Sequence, residues 1–339
     1  MSKVVTLGEI MLRLTPPQHQ RIIQASSFDV CYGGAEANVA VSLSQFGHEA
    51  AFISKVPDNS LGDAVIGALQ KYGVDCRYVR KGSGRLGIYF LENGASVRPS
   101  AVIYDRKDSL VTHMTPDEAE LGSALNDAAL LHISGITPVL SREAGKLALA
   151  AVKKAKELGV TVSFDLNYRK RLWEDHIPEK QALLTEIMEY ADICFGNARD
   201  AALCLGYRQE EYLDCDFSLC VSETAMQEML ENYHLKCLVT GLRTSISASD
   251  NLYSGIVCTP DQFVKGREYT VHIVDRVGTG DAFVAGFLHG YLSEMKTEDA
   301  LNFGIAASAI KHTVPGDFNC ICKQDVLTLM ESNGGRIDR

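Results

Sequence analysis

The sequence predicts an α/β fold: a three-layer α/β/α sandwich with a mostly parallel central sheet and a small β-sheet lid. Three observations carry this. Short β-branched runs alternate with segments of helical period along most of the chain, the pattern of a parallel sheet whose crossovers are helices covering both faces. Residues 12–32 and 86–108 break that alternation with strand-like, turn-rich sequence of no helical period. No repeat, low-complexity tract or flexible linker divides the chain, so residues 1–339 are expected to form a single domain, with those two segments folded over the strand ends as the lid.

The alternation runs as follows. Val4–Leu7 reads as a strand, and Glu36–Phe46 as a helix stopped by Gly47. Ala50–Val56 is a strand, Leu61–Tyr72 a helix ending at Gly73, and Leu130–Ile133 a strand. Ser141 suits an N-cap for a helix over Arg142–Leu158, which Gly159 terminates. Val160–Leu166 is a strand, Ile177–Tyr190 a helix, and Ile193–Gly196 and Cys237–Thr240 strands. Two helices, Asp281–Met295 and Ala300–His312, close the pattern. In the two exceptional segments, Gly87–Leu91 and Ala101–Tyr104 alternate as half-buried strands do.

Composition narrows the function. With 339 residues, 46% of them hydrophobic, the chain can bury a large core, and a net charge of −10 argues against a nucleic-acid protein. The ten cysteines include no C-x-x-C pair and sit mostly in apolar segments, so they read as buried free thiols rather than a disulfide scaffold. No stretch approaches the length of a membrane span and the N-terminus reads as a strand, so a cytoplasmic enzyme is expected.

The strongest chemical signal is Asp275-Arg276-Val277-Gly278-Thr279-Gly280-Asp281, where a strand-like run enters a glycine turn and a helix leaves it. Glycines let the backbone approach a ligand closely, and a helix N-terminus adds free N–H groups and the positive end of its dipole. Gly278, Thr279 and Gly280 thus form a cradle for a developing phosphate charge, and Asp281 stands beside it as a base for an attacking hydroxyl. A second glycine-rich helix start, Gly33-Gly34-Ala35-Glu36-Ala37-Asn38, reads as a sugar-binding turn in which Asn38 offers a donor and an acceptor to hydroxyls.

Gly33-Gly34…Asn38, then Asn197, then Gly278-Thr279-Gly280-Asp281 occur in an order that resembles the ribokinase-like (PfkB) carbohydrate kinase family over nearly the whole chain. The resemblance implies ATP and Mg2+ as co-substrate and cofactor, Asp281 as catalytic base and Gly278 to Asp281 as anion hole. Asn197-Ala198-Arg199-Asp200 lies where the family carries Asn-x-x-Glu, with Asp200 one methylene shorter. Family members often bind a monovalent cation such as K+ near the anion hole, and by that resemblance Asp275 and the Val277 carbonyl are the candidate ligands here. The lid in the family often packs on a second lid, which implies a homodimer.

Three more segments resemble the 2-keto-3-deoxygluconate kinases within that family: Asp165 to Trp173 with its basic cluster, Ile103-Tyr104-Asp105-Arg106, and Pro315-Gly316-Asp317-Phe318-Asn319. The implied sugar-acid contacts are Gly34, Tyr89, Tyr104, Arg106 and Arg169, with Asp317 as a further hydroxyl contact; a guanidinium suits a carboxylate geometrically. Asn167, Asn197, Gly241 and Arg243 fall on the implied nucleotide side. The expected reaction is phosphorylation of a primary hydroxyl to the 6-phosphate. A kinase for a neutral sugar such as fructose, and a non-catalytic sugar-binding regulator on the same fold, stay open. Gly82-Ser83-Gly84-Arg85-Leu86-Gly87 matches a dinucleotide fingerprint literally, but a strand-like run follows it instead of a helix, so it reads as a turn.

Overall fold

The computed structural model describes residues 1–331. Ten strands form one large sheet and four form a smaller one. From one edge, the large sheet runs Gln262–Lys265, Asp250–Thr259, Cys237–Ser245, Ile193–Phe195, Thr161–Asp165, Leu130–Ser134, Lys3–Leu7, Glu49–Pro57 and Val79–Gly82, with Tyr269–His272 also pairing to Asp250–Thr259. Pairing is parallel from Cys237–Ser245 to Val79–Gly82 and antiparallel at the Asp250–Thr259 edge. The strands foreseen as β-branched runs all lie in this sheet, and helices flank it as the alternation requires.

The predicted helix stops hold at Gly47 and Gly159, whose φ values of 94° and 72° suit only glycine without strain. The reading of the thiols needs one change. Cys320 and Cys322 are exposed, because the C-terminal segment carrying them lies on the surface. The antiparallel edge over residues 250–272 was not foreseen; its turns are short and its strands carry charged residues, so neither period dominates.

The helices Thr279–Leu292 and Thr297–Lys311 are buried almost all round. They cross where Gly286 meets Gly304: a Cβ on Gly286 would sit 2.7 Å from the Gly304 Cα. That close approach places the first turn of Thr279–Leu292 against the carboxyl ends of the parallel strands, where ligands bind in open α/β sheets. The fully buried Phe287 and Phe303 fill the core around it. Among the described residues no helix is long and apolar enough to cross a membrane.

The smaller sheet has the order Asp29–Gly33, Met11–Thr15, Gly87–Glu92 and Ala101–Asp105. Its outer strands are exposed, with Val30 at 57% and Ile103 at 52%.

Candidate active site

A cleft of about 1070 Å³ opens between the strand ends and the smaller sheet. Its floor is the turn before the helix Thr279–Leu292. Gly278 adopts φ +78° there, and a Cβ would collide with the Asp317 carbonyl, so a side chain is excluded twice over. The helix begins at Thr279, earlier than the expected Asp281, so Asp281 lies within its first turn. The amides of this first turn have no intrahelical acceptor and remain free to receive an anion. Thr279 turns its hydroxyl back to the Arg276 carbonyl at 3.0 Å, while Gly280 is exposed at the cleft floor.

Asp281 is half-buried and accepts a 2.6 Å hydrogen bond from Asn38 Nδ2. Burial pushes its carboxyl up to about 6, while the Asn38 bond and the Arg169 charge pull the other way. A carboxylate poised this close to neutrality combines ionisation at physiological pH with useful proton affinity. The second glycine turn therefore serves the base. Asn38 Oδ1 faces the Gly34 amide at 3.4 Å, so the amide expected to meet sugar hydroxyls is used within the protein. Gly33 and Gly34 line the cleft, where a Cβ would run into the Asp317 carboxylate and the Glu9 carbonyl respectively.

The cations above the floor fall into two sets. Arg169 is exposed at the cleft wall, and among the described residues its side chain bonds only from Nη1 to the Tyr168 carbonyl at 3.2 Å. Among the described residues it has no acidic partner, and nor do Arg171, Arg243 and Arg276. Arg106 is held by Glu9, which also accepts from Ser109 Oγ. Its Nε is buried without a partner, an unmet donor in the cleft wall. Tyr104 lies 5.5 Å beneath the Arg106 guanidinium and 5.8 Å from the Tyr89 ring.

Two expected sugar contacts are engaged with each other. Tyr89 donates its hydroxyl to Asp317 Oδ2, and Arg13 Nη1 reaches Asp317 Oδ1 at 2.9 Å. Both oxygens of Asp317 thus carry protein donors, and its carboxylate braces the smaller sheet from below. Asp275 does not fit a monovalent cation. Its Oδ1 accepts the Val277 amide at 3.0 Å, and its Oδ2 accepts the Gly316 amide at 3.0 Å and Arg13 Nη2 at 2.6 Å. One guanidinium and two amides already occupy the oxygens a metal ion would need.

On the far side of the cleft, Asn197 caps the helix Ala198–Leu205. Its Oδ1 accepts from the Arg199 and Asp200 amides at 3.0 and 3.2 Å, and Asp200 Oδ2 accepts from the Asn197 amide at 3.1 Å. The motif is a capping box, with the Asn197 side chain occupied by it. Asn167 adopts φ +40° and donates to Asp165 through its amide at 3.1 Å and Nδ2 at 3.0 Å. Gly241 lines the cleft, whereas Arg243 lies outside the lining, exposed on its strand beside Arg276 and Arg169.

Sequence reasoning passed over Glu36, which burial raises to about 7 while it accepts from Ser134 N, Ser134 Oγ and Thr137 Oγ1 at 3.1, 2.8 and 2.8 Å. It also passed over Arg13 and Lys311. Charged residues inside otherwise apolar strand and helix patterns were the available signal for all three.

Free amides and a proton-accepting carboxylate on one helical turn suit transfer of a phosphoryl group to an alcohol, the work of a sugar kinase. The pfkB family carbohydrate kinase model matches residues 1–324, and the chain belongs to that family. It is 43% identical to the 2-dehydro-3-deoxygluconokinase of Thermotoga maritima, whose crystal structure superposes with a TM-score of 0.90 over 98% of each chain. It is 35% identical to a 2-dehydro-3-deoxygalactonokinase of Haloferax volcanii over 100% of this chain and 99% of the relative. A 2-dehydro-3-deoxygluconokinase of Bacillus subtilis is 27% identical over 93% of this chain and 91% of the relative.

Proposed function

We propose that the protein transfers the γ-phosphoryl group of ATP to the primary hydroxyl of a six-carbon 2-keto-3-deoxy sugar acid, giving the 6-phosphate. One observation carries the reading: the base Asp281 and the free guanidinium of Arg169 face the same cleft, so a substrate acidic at one end and alcoholic at the other would span them. The names of the relatives, which act on the gluconate- and galactonate-derived acids, agree with such a substrate.

In this reading Arg169 and the unmet Nε of Arg106 receive the sugar carboxylate. The far hydroxyl then meets Asp281, which Asn38 holds in place. As the hydroxyl oxygen bonds to the γ-phosphorus, its proton passes to Asp281, the bond from that phosphorus to the β,γ-bridging oxygen breaks, and ADP leaves. The amides of the first turn after Gly278 receive the charge on the transferring group.

Magnesium fits the carboxylates present. Asp165 is pushed up to about 8, first by burial and then by the nearby Asp281 charge, with Asp200 adding to it, a crowding that a divalent cation relieves. Asp165 and Asp200 would hold it largely through water and phosphate oxygens, as this ion prefers, and once bound it neutralises phosphate charge. Arg276 lines the cleft and its charge bears on Arg243, so the two would supply positive charge to the triphosphate.

The exposed face of the smaller sheet, with Val30 and Ile103, is where a second copy would pack. Light scattering on the purified protein reads that directly, a dimeric mass being expected. The test of function is ADP release from purified enzyme across 2-keto-3-deoxygluconate, 2-keto-3-deoxygalactonate and neutral ketoses. Faster turnover of fructose than of either acid overturns the substrate reading, and absence of turnover on every sugar favours a binding role.

A further inference from the structure

The helix Thr297–Lys311 ends in an ammonium group buried directly behind the anion hole. Lys311 is fully buried, and its Nζ donates to the carbonyls of Val314 at 3.0 Å and Gly316 at 2.8 Å. Those carbonyls belong to the loop that covers the glycine turn from below. The same loop donates the Gly316 amide to Asp275, and its Asp317 carbonyl lies against Gly278; a Cβ built on Gly278 would sit 3.4 Å from the Lys311 side chain. Arg13, reaching in from the strand Met11–Thr15, completes the group through Asp275 and Asp317.

Arg13, Lys311, Asp275 and Asp317 are all nearly fully buried, at 2%, 0%, 4% and 3% exposure, so two positive and two negative side chains balance one another away from the surface. Burial draws the Lys311 ammonium below the usual lysine range, and the charges of Asp275 and Asp317 act against that pull. A monovalent cation in such a place would need converging carbonyls and a carboxylate oxygen free of donors. The carbonyls converge, but on Lys311. The carboxylate is present, but Arg13 and two amides saturate it.

We propose that Lys311, with Arg13, is a built-in cation that shapes the loop and the glycine turn, so that the enzyme turns over without any monovalent metal ion. Lys311 is a positioning residue: it lies outside the cleft lining and does not touch Asp281, although its charge adds to those that favour the ionised Asp281, and its bonds run through the loop carbonyls to the turn whose amides receive the phosphoryl charge. The proposal rests on the kinase reading only for its activity readout; the stability readout below stands without it.

The test compares the wild type and Lys311→Ala in tetramethylammonium, sodium, ammonium and potassium salts of matched ionic strength. Wild-type kcat should stay within about twofold across all of them, and its melting temperature should not depend on which cation is present. In Lys311→Ala the loop carbonyls lose their donor, and kcat should fall by about 10- to 100-fold in tetramethylammonium with a smaller change in KM. Ammonium or potassium should then recover part of the loss and raise the variant's melting temperature, because a small cation can enter the space left by the side chain. A wild type activated about tenfold or more by potassium overturns the proposal. So does a folded Lys311→Ala enzyme with full turnover in every salt, or one that no small cation stabilises. If the variant does not fold, the wild-type comparison alone decides. Lack of any sugar turnover with a cation-independent wild-type melting temperature would defeat the kinase reading while leaving this one standing.

Discussion

Asp281→Asn should give a protein that is inactive and more stable than the wild type. Burial holds the Asp281 carboxyl up to about 6 against an ordinary 3.8. At pH 7 the folded chain therefore keeps ionised a group that binds its proton more tightly than the unfolded chain does. About two pH units of displacement correspond to about 3 kcal/mol of stability forgone. An asparagine keeps the shape and can still accept from Asn38, so the gain should reach about 1–3 kcal/mol, the lower end allowing for an imperfectly solvated amide. The sign with pH follows from the raised value. Wild-type stability relative to the variant falls as pH rises from about 4 to 6, then stays level, because ionisation of the folded group is then complete. Urea unfolding of both proteins at several pH values reads the gap. Turnover measured alongside should drop by roughly 10²–10⁴ through loss of the base. Equal stabilities at pH 8 would show that the carboxylate is not held ionised against burial, and turnover within tenfold of wild type would remove Asp281 as the base.

Asn38→Ala removes the donor that favours the ionised Asp281, so the acid limb of the kcat/KM profile should move above about 6, with kcat about tenfold lower. Arg169→Ala should raise the sugar-acid KM by about 10- to 100-fold and leave KM for ATP nearly unchanged, read by initial rates with each substrate varied; equal changes in both would place Arg169 elsewhere. Arg13→Met leaves Asp275 and Asp317 buried beside Lys311 alone, and chemical denaturation should show a loss of about 3–5 kcal/mol. Gly278→Ala meets both a φ of +78° and the Asp317 carbonyl, so its melting temperature and turnover should fall together.

The sequence made the parallel sheet readable because its central strands, Lys3–Leu7, Glu49–Pro57, Leu130–Ser134, Thr161–Asp165 and Ile193–Phe195, are largely buried on both faces and show as apolar runs between helical periods. The Asp281 turn was readable because its glycines precede a helix, so its local chemistry and its role coincide. What stayed hidden were the partners of each charge. Asn38 looked like a sugar ligand because an amide gives no sign of what it will bond, and only the packing of its helix against Thr279–Leu292 brings it to Asp281. Asp275 looked like a cation ligand for the same reason: Arg13 lies 262 positions away in the chain, and nothing local announces the pairing. Asn197 falls on the implied nucleotide side, and its spacing to Asp200 also fits the capping box the structure shows, a bond pattern the resemblance did not announce.

The small sheet begins only three residues after the strand Lys3–Leu7 ends, at Met11, and among those three is Glu9. With Glu9 tied to Arg106 and Arg13 tied to Asp275 and Asp317, this sheet is not an interchangeable module. A chimaera that grafted a relative's cover onto this body would strand acidic groups at two seams unless matching arginines travelled with it. Evolution of new sugar preferences in this scaffold is therefore channelled toward single side chains on the cleft rim, Tyr104 on the cover and Arg169 on the body, and away from wholesale exchange of the cover.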